Sequence, residues 1–149
     1  MCSGEVMETT VRKFFERYER FFRQALGDEA DMDEAASFYA GEFIAASPAG
    51  VAAGKNDDRL KQVMAQGYAR YRMMGLKDMR VRHVDLSPMD ELHCVGHVAW
   101  TATYVRQNQS AVAIDFDVHY FMQVLGGEPR IFGWVAGDEP ALLEQHGIV

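Results

Sequence analysis

The first part of the chain repeats its apolar positions with the period of an α-helix. Apolar residues recur every three or four positions between residues 11 and 26, and charged residues occupy the opposite face. This spacing predicts a helix with one buried stripe, which consists of Val11, Phe14, Phe15, Tyr18, Phe21, Phe22, Ala25 and Leu26. So many aromatic side chains indicate that the helix lies across a broad surface such as a sheet.

Two more helices are predicted before residue 75. The first is short, with Asp31 as its N-cap and Glu34 as the capping-box partner. The second runs from about residue 57 to 74, is capped by Asn56, and ends at Gly75. Residues 42–46 between them are predicted to form a short strand that is closed by a turn at residues 47–50.

After Gly75 the apolar period changes from that of a helix to that of a strand. Four strands are predicted at residues 76–86, 92–106, 111–124 and 130–136, with short, turn-like separators. Short connections cannot make parallel crossovers, so an antiparallel meander is expected. A last short helix is predicted, with Asp138 as its cap and Pro140 in its first turn.

Composition narrows the class of protein. A chain of 149 residues is expected to form a single domain over residues 1–149, and its 48% hydrophobic content is that of a globular protein. The net charge of -7 argues against nucleic acid as a partner, and no run reaches the roughly 20 apolar residues of a membrane span. Cys2 and Cys94 are too few for a disulfide framework, which predicts a reduced, cytoplasmic setting.

Two stretches, together with the order of elements, resemble a known superfamily. They are FYAGEFIAASPAGVAAGKNDDRL at residues 38–60 and VHYFMQVLGGEPRIFGW at residues 118–134. They resemble the strand–turn–Gly–helix segment and the closing hairpin of NTF2-like proteins, a superfamily that includes SnoaL-like cyclases and ketosteroid isomerase. The resemblance covers nearly the whole chain.

The resemblance implies an α+β fold in which three N-terminal helices pack on a curved antiparallel sheet, followed by a short C-terminal helix. In this NTF2-like cone the mouth holds a small apolar ligand, and many members form homodimers through the sheet. Functions in the superfamily range from isomerases and hydratases to non-enzymes, so the fold does not select among them.

The strand residues can be divided between two faces of the sheet. If the turn centres on Asn108-Gln109, Trp100 pairs with Asp117. One predicted face then carries Val98, Trp100, Ala102 and Tyr104 opposite Ala113, Asp115, Asp117 and His119. The other carries His97, Ala99, Thr101 and Thr103 opposite Ile114, Phe116, Val118 and Tyr120, with Phe132 and Trp134 from the next hairpin.

The charges favour the first face as the outer one. Arg80 and Arg82 fit beside Asp115 and Asp117 as a ladder of opposite charge. The first face is therefore expected to be solvated or to form a homodimer. This arrangement leaves Met79, Val81, His83 and Asp85 on the second face, which is predicted to line a pocket.

The predicted ligand-binding residues are on that second face. They are His97, Thr101, Phe116, Tyr120 and Trp134, with Tyr39 or Tyr18 from the helices near the mouth. His97 and His83 are candidates for acid–base catalysis, or else buried histidines satisfied by local partners. The alternation of Asp115, Asp117 and His119 could supply a carboxylate base, although the arginine match favours an exposed polar face.

No metal site or cofactor is expected. His93 and His97 would be about 13 Å apart along a strand, too far for one metal ion. Gly126-Gly127 is predicted to be a hairpin turn and not a phosphate loop, because no helix follows it.

Two functions remain open from the sequence. One is a proton-transfer enzyme, such as an isomerase, cyclase or hydratase, that acts on a small apolar substrate. The alternative is a non-catalytic ligand-binding or dimeric interaction module that uses the same pocket or the face of the sheet.

Overall fold

The computed structural model of the protein describes residues 3–27 and 30–148, so Cys2 lies outside the described residues. The chain forms an α+β fold. Its elements in order are α1 (Ser3–Gly27), α2 (Met32–Ser37), β1 (Tyr39–Ser47), β2 (Gly50–Lys55), α3 (Asp58–Met74), β3 (Leu76–Pro88), β4 (His93–Tyr104), β5 (Val112–Leu125), β6 (Glu128–Ala136) and α4 (Glu139–Gln145).

The six strands form one sheet in the order β2-β1-β6-β5-β4-β3. Strands β3 to β6 pair antiparallel with their neighbours in sequence, which confirms the predicted meander. β1 pairs antiparallel with β2 but parallel with β6, so the sheet is mixed where only antiparallel pairing was predicted. The difference arises because β1 and β6 are far apart in the chain, and only a short loop forces two neighbouring strands to run antiparallel.

Helix α1 lies across the inner face of the sheet, as its aromatic stripe indicated. Every residue of the predicted stripe is buried. The ring of Phe15 lies 5.0 Å from that of Tyr120, and the ring of Tyr18 lies 5.9 Å from that of Trp100. The stripe therefore packs directly on β4 and β5.

The predicted helix ends are mostly confirmed. The Asp31 carboxylate accepts hydrogen bonds from backbone N–H groups in the first turn of α2, and Asp138 does the same for α4. Gly75 ends α3 with a φ of 92°, a left-handed conformation that favours glycine.

The cap of α3 differs from the prediction. Asp57, and not Asn56, accepts the hydrogen bond from Leu60 N. The Asn56 side-chain amide instead donates to the carbonyls of Ala36 and Tyr39, at 2.8 and 3.0 Å. Asn56 thus ties the start of α3 to α2 and β1.

The register between β4 and β5 is shifted by one residue from the predicted one. Trp100 pairs with Phe116, and not with Asp117. The pairing is centred on Asn108 itself, which has a φ of 62°, and not between Asn108 and Gln109. Because strand side chains alternate, this shift exchanges the two faces of β4.

A second irregularity lies in β3. Val81 pairs with Trp100 and His83 pairs with Ala99, so Arg82 is an extra residue in a bulge. A bulge reverses the alternation of side chains beyond it. His83 and Asp85, which were predicted on the pocket face, therefore lie on the outer face.

Within the described ranges, no helix is both long enough and apolar enough to span a membrane.

Candidate functional site

A cavity of about 550 Å³ lies between the inner face of the sheet and helices α1, α3 and α4. Its size is typical of small-molecule sites. All six tyrosines of the chain and both tryptophans line it, and aliphatic side chains fill much of the rest of the wall. The aromatic residues are Tyr18, Tyr39, Tyr68, Tyr71, Trp100, Tyr104, Tyr120 and Trp134.

Two hydrogen bonds connect polar groups in the wall of this cavity. The hydroxyls of Tyr18 and Tyr39 lie 3.0 Å apart, and either one can be the donor. The indole Nε1 of Trp100 donates to the hydroxyl of Tyr120 over 3.2 Å. The wall is thus apolar with a small patch of phenol hydroxyls, which are able to donate or accept hydrogen bonds.

Burial keeps these phenols protonated. Loss of solvation raises the pKa of Tyr18 and of Tyr120 well above the usual value near 10, and each is raised further by neighbouring tyrosines. The pKa of Tyr39 is also raised, first by burial. At neutral pH these groups offer hydroxyl donors and acceptors and cannot serve as bases.

A carboxylate lies at the rim, where α4 begins. The Tyr71 hydroxyl is 3.3 Å from both carboxylate oxygens of Glu139 and donates to them. Burial raises the pKa of Tyr71, and the Glu139 carboxylate raises it further. Burial also raises the pKa of Tyr104 to about 12, again with a contribution from Glu139. The aromatic wall therefore experiences a negative charge at this end.

Several predicted binding residues are in the cavity wall. Phe116, Tyr120 and Trp134 line it from β5 and β6, and Tyr18 and Tyr39 line it from α1 and β1. Their role in ligand binding stays a prediction.

His97 and Thr101 do not line the cavity, so their predicted location is wrong. The shifted register turns both to the outer face, where Thr101 pairs with Asp115 and His97 with His119. The Thr101 hydroxyl donates to Asp115 Oδ1 at 2.6 Å. His97 Nε2 lies 2.8 Å from the Ser87 hydroxyl, and its Nδ1 lies 2.6 Å from the Nδ1 of His119.

His83, the other catalytic candidate, is also on the outer face. Its Nε2 lies 3.0 Å from Asp85 Oδ2, and both side chains are largely exposed. Within the described residues, no histidine lines the cavity. Neither candidate is thus placed to act on a molecule inside it.

Asp115 and Asp117 lie on the outer face, in agreement with the predicted exposed polar strand face. Arg82 Nε is 3.5 Å from Asp115 Oδ1, and Arg82 Nη2 is 4.0 Å from Asp117 Oδ1. Asp117 also borders the cavity as a residue of β5, but its carboxylate is near Arg82. The predicted ladder holds for Arg82 alone, since Arg80 pairs with Asp78.

Four residues predicted on the outer face are in the core. Trp100 is 1% exposed and Tyr104 is 3% exposed, and Val98 and Ala102 are also buried. The dimer surface predicted from these four residues is therefore wrong. The composition of β4 carried the missed signal, because its even-numbered positions are more apolar than its odd-numbered ones, which include His97 and Thr101.

Sequence reasoning also missed part of the wall from α3 and α4. Tyr68 and Tyr71 of α3 were not assigned to the site, and both line the cavity. Nothing in the local sequence around Glu139 distinguished it from other acidic residues in a first helical turn.

The fold and the cavity together define an α+β protein with a small-molecule-sized pocket on the inner face of an open sheet. Residues 7–139 match the family described as NTF2-like protein (DUF6841), and the chain belongs to this family. The resemblance found in the sequence is thereby confirmed.

Solved structures with the same fold are distant in sequence. An NTF2-like protein of unknown function from Shewanella oneidensis has a TM-score of 0.66 and 9% identity, over 88% of this chain and 98% of that one. An NTF2-like protein with a cystatin-like fold from Novosphingobium aromaticivorans has a TM-score of 0.68 and 10% identity, over 91% and 88%. A ketosteroid isomerase-like protein from Erwinia carotovora atroseptica has a TM-score of 0.58 and 12% identity, over 89% and 93%. No curated protein matches the chain by sequence.

Proposed function

We propose that the protein binds a small, largely apolar molecule that carries a carbonyl or hydroxyl group. The observation that carries this proposal is the convergence of every tyrosine and tryptophan of the chain on one cavity. The apolar wall favours a hydrophobic body, and the protonated phenols of Tyr18, Tyr39 and Tyr120 favour an oxygen that exchanges hydrogen bonds with them.

Binding is better supported than proton transfer. An isomerase, cyclase or hydratase needs a base within hydrogen-bond reach of its substrate. His97 and His83 are both outside the cavity, and the Asp117 carboxylate lies near Arg82. Glu139 remains at the rim. The likeness to a ketosteroid isomerase-like protein, at 12% identity, concerns the fold alone.

Intrinsic fluorescence tests the proposal directly, because both tryptophans line the cavity. A suitable probe is adamantanemethanol, which has a rigid apolar body, one hydroxyl group and no near-ultraviolet absorption. We expect a saturable change in tryptophan emission as the probe enters the cavity beside Trp134, which is partly exposed to it.

A matched pair of variants provides the control. Ala102 lines the cavity from β4, whereas Ala99 on the same strand lies on the outer face. Ala102→Phe should fill the cavity and abolish the fluorescence change, whereas Ala99→Phe should preserve it. Circular dichroism establishes that each variant is folded. A wild-type response that does not saturate, or equal responses in two folded variants, would refute the proposal.

A homodimer through the outer face of the sheet is also proposed, with residues that differ from those predicted. Ile44, Val51 and Val135 are 53%, 74% and 38% exposed and lie on that face. Exposed apolar residues on one face support contact with a second copy of the chain.

A cytoplasmic setting is likewise a proposal, supported by one thiol. Cys94, the one cysteine among the described residues, is buried with a free thiol, and burial raises its pKa to about 11.

A further inference from the structure

The charge that a bound molecule meets at the rim of the cavity is negative. Among the described residues that line the cavity, the acidic ones are Asp117 and Glu139, and none is a lysine or an arginine. The Asp117 carboxylate is 4.0 Å from Arg82, which offsets its charge on the outer face. The Glu139 carboxylate has no cationic partner among the described ion pairs and contacts the Tyr71 hydroxyl instead.

Aromatic rings share the cavity wall with this carboxylate. Tyr71 bonds to Glu139 and its ring centre is 5.9 Å from that of Phe22, which in turn is 5.2 Å from that of Tyr68. Tyr104 lies on the facing strand of the same wall. A carboxylate that shares a cavity wall with aromatic rings attracts organic cations, through an ion pair with the carboxylate and through the negative faces of the rings.

We propose that the ligand of this cavity carries a protonated amine or another alkylammonium group at its outer end. The group pairs with the Glu139 carboxylate and lies against the rings of Tyr71 and Tyr104, while the apolar body fills the interior. This inference rests on the proposed function and narrows its ligand to amphipathic organic cations.

Two further observations point in the same direction. The Glu139 carboxylate adds to the effect of burial in raising the pKa of Tyr71 and of Tyr104, because a negative field disfavours a second negative charge there. The same field favours a cation. The net charge of -7 also attracts cations to the molecule and repels anions.

The test compares three probes that share one apolar body. Adamantanemethylamine is cationic at neutral pH, adamantanemethanol is neutral, and adamantanecarboxylate is anionic. Isothermal titration calorimetry should give the amine an affinity about tenfold higher than that of the alcohol, since a rim ion pair and a cation–π contact each contribute modestly. The carboxylate should bind more weakly than the alcohol. The advantage of the amine should decrease with added salt.

A charge-removing variant isolates the carboxylate. Glu139→Gln should lower the affinity of the amine about tenfold, to that of the alcohol, and should change the affinity of the alcohol far less. Glu144→Gln is the matched control, because Glu144 is exposed on the same helix and does not line the cavity. It should retain the tenfold preference.

The outcomes separate this inference from the proposed function. Equal wild-type affinities for amine and alcohol would overturn the cationic ligand and leave the cavity as a binding site. An equal loss for all three probes in Glu139→Gln would also overturn it, because Glu139 would then act only as a tie between α3 and α4. Failure of all three probes to bind the wild-type protein would overturn the proposed function itself.

Discussion

Raising the pH above 10 should unfold the protein through its buried phenols. Tyr18, Tyr39 and Tyr120 have pKa values raised above the usual one near 10, chiefly by burial. Above pH 10 the unfolded chain loses these protons while the folded chain keeps them. The stabilisation is therefore complete below about pH 10 and is lost as the pH rises toward the folded pKa values.

The magnitude follows from proton linkage. Above pH 10, each phenol that stays protonated in the folded state lowers the free energy of unfolding by about 1.4 kcal/mol per pH unit. The three buried phenols together cost about 4 kcal/mol per unit, or about 8 kcal/mol between pH 10 and 12. A small domain has a free energy of unfolding of about 5–15 kcal/mol, so we expect cooperative unfolding at about pH 11 to 12.

Two signals recorded across the same pH range test this expectation. Far-ultraviolet circular dichroism follows the fold, and near-ultraviolet absorbance follows tyrosinate formation. The two transitions should coincide, and Tyr39→Phe should make the loss of stability less steep by about 1.4 kcal/mol per pH unit. Ionisation of all six tyrosines near pH 10 with an unchanged dichroism spectrum would refute the reasoning.

Three further changes have defined outcomes. Gly75→Ala should lower the thermal unfolding temperature, because φ is 92° and the new Cβ would lie 2.7 Å from the Val105 carbonyl oxygen. Gly67→Ala, within α3, should instead stabilise the protein by up to about 1 kcal/mol. A lower unfolding temperature for both variants would contradict this. His97→Ala should leave adamantanemethanol affinity unchanged in calorimetry, since His97 is on the outer face; a weaker affinity would count against that placement. Val135→Asp should convert the proposed dimer to a monomer in light scattering, and an unaltered dimer would exclude Val135 from the interface.

The sequence predicted the fold well because the main elements have strong local signals. The stripe of α1 repeats over several turns, and the change of period at Gly75 coincides with a helix cap. The four long strands end within two residues of their predicted ends, because turn residues separate them. The parallel pairing of β1 with β6 had no such signal, since residues far apart in the chain determine it.

The site was predicted less well, because it depends on which way single side chains point. Phe116 and Trp134 were assigned correctly to the inner face, whereas all of β4 was reversed by the one-residue shift at Asn108. The bulge at Arg82 had the same effect on the second half of β3. One residue more or less in a turn or a strand hardly changes the local preference for turn or strand. The sequence pattern therefore revealed neither the register shift at Asn108 nor the bulge at Arg82.

The shift at Asn108 also changes the function that the chemistry favours. With the predicted register, the inner face of β4 would present Thr101 and His97, and the His97 imidazole is a titratable group suited to proton transfer. With the observed register it presents Trp100 and Tyr104, which are able to donate hydrogen bonds but hold their protons at neutral pH. The wall that results can orient a ligand without exchanging protons with it. Proton transfer to or from a ligand would involve the Glu139 carboxylate at the rim.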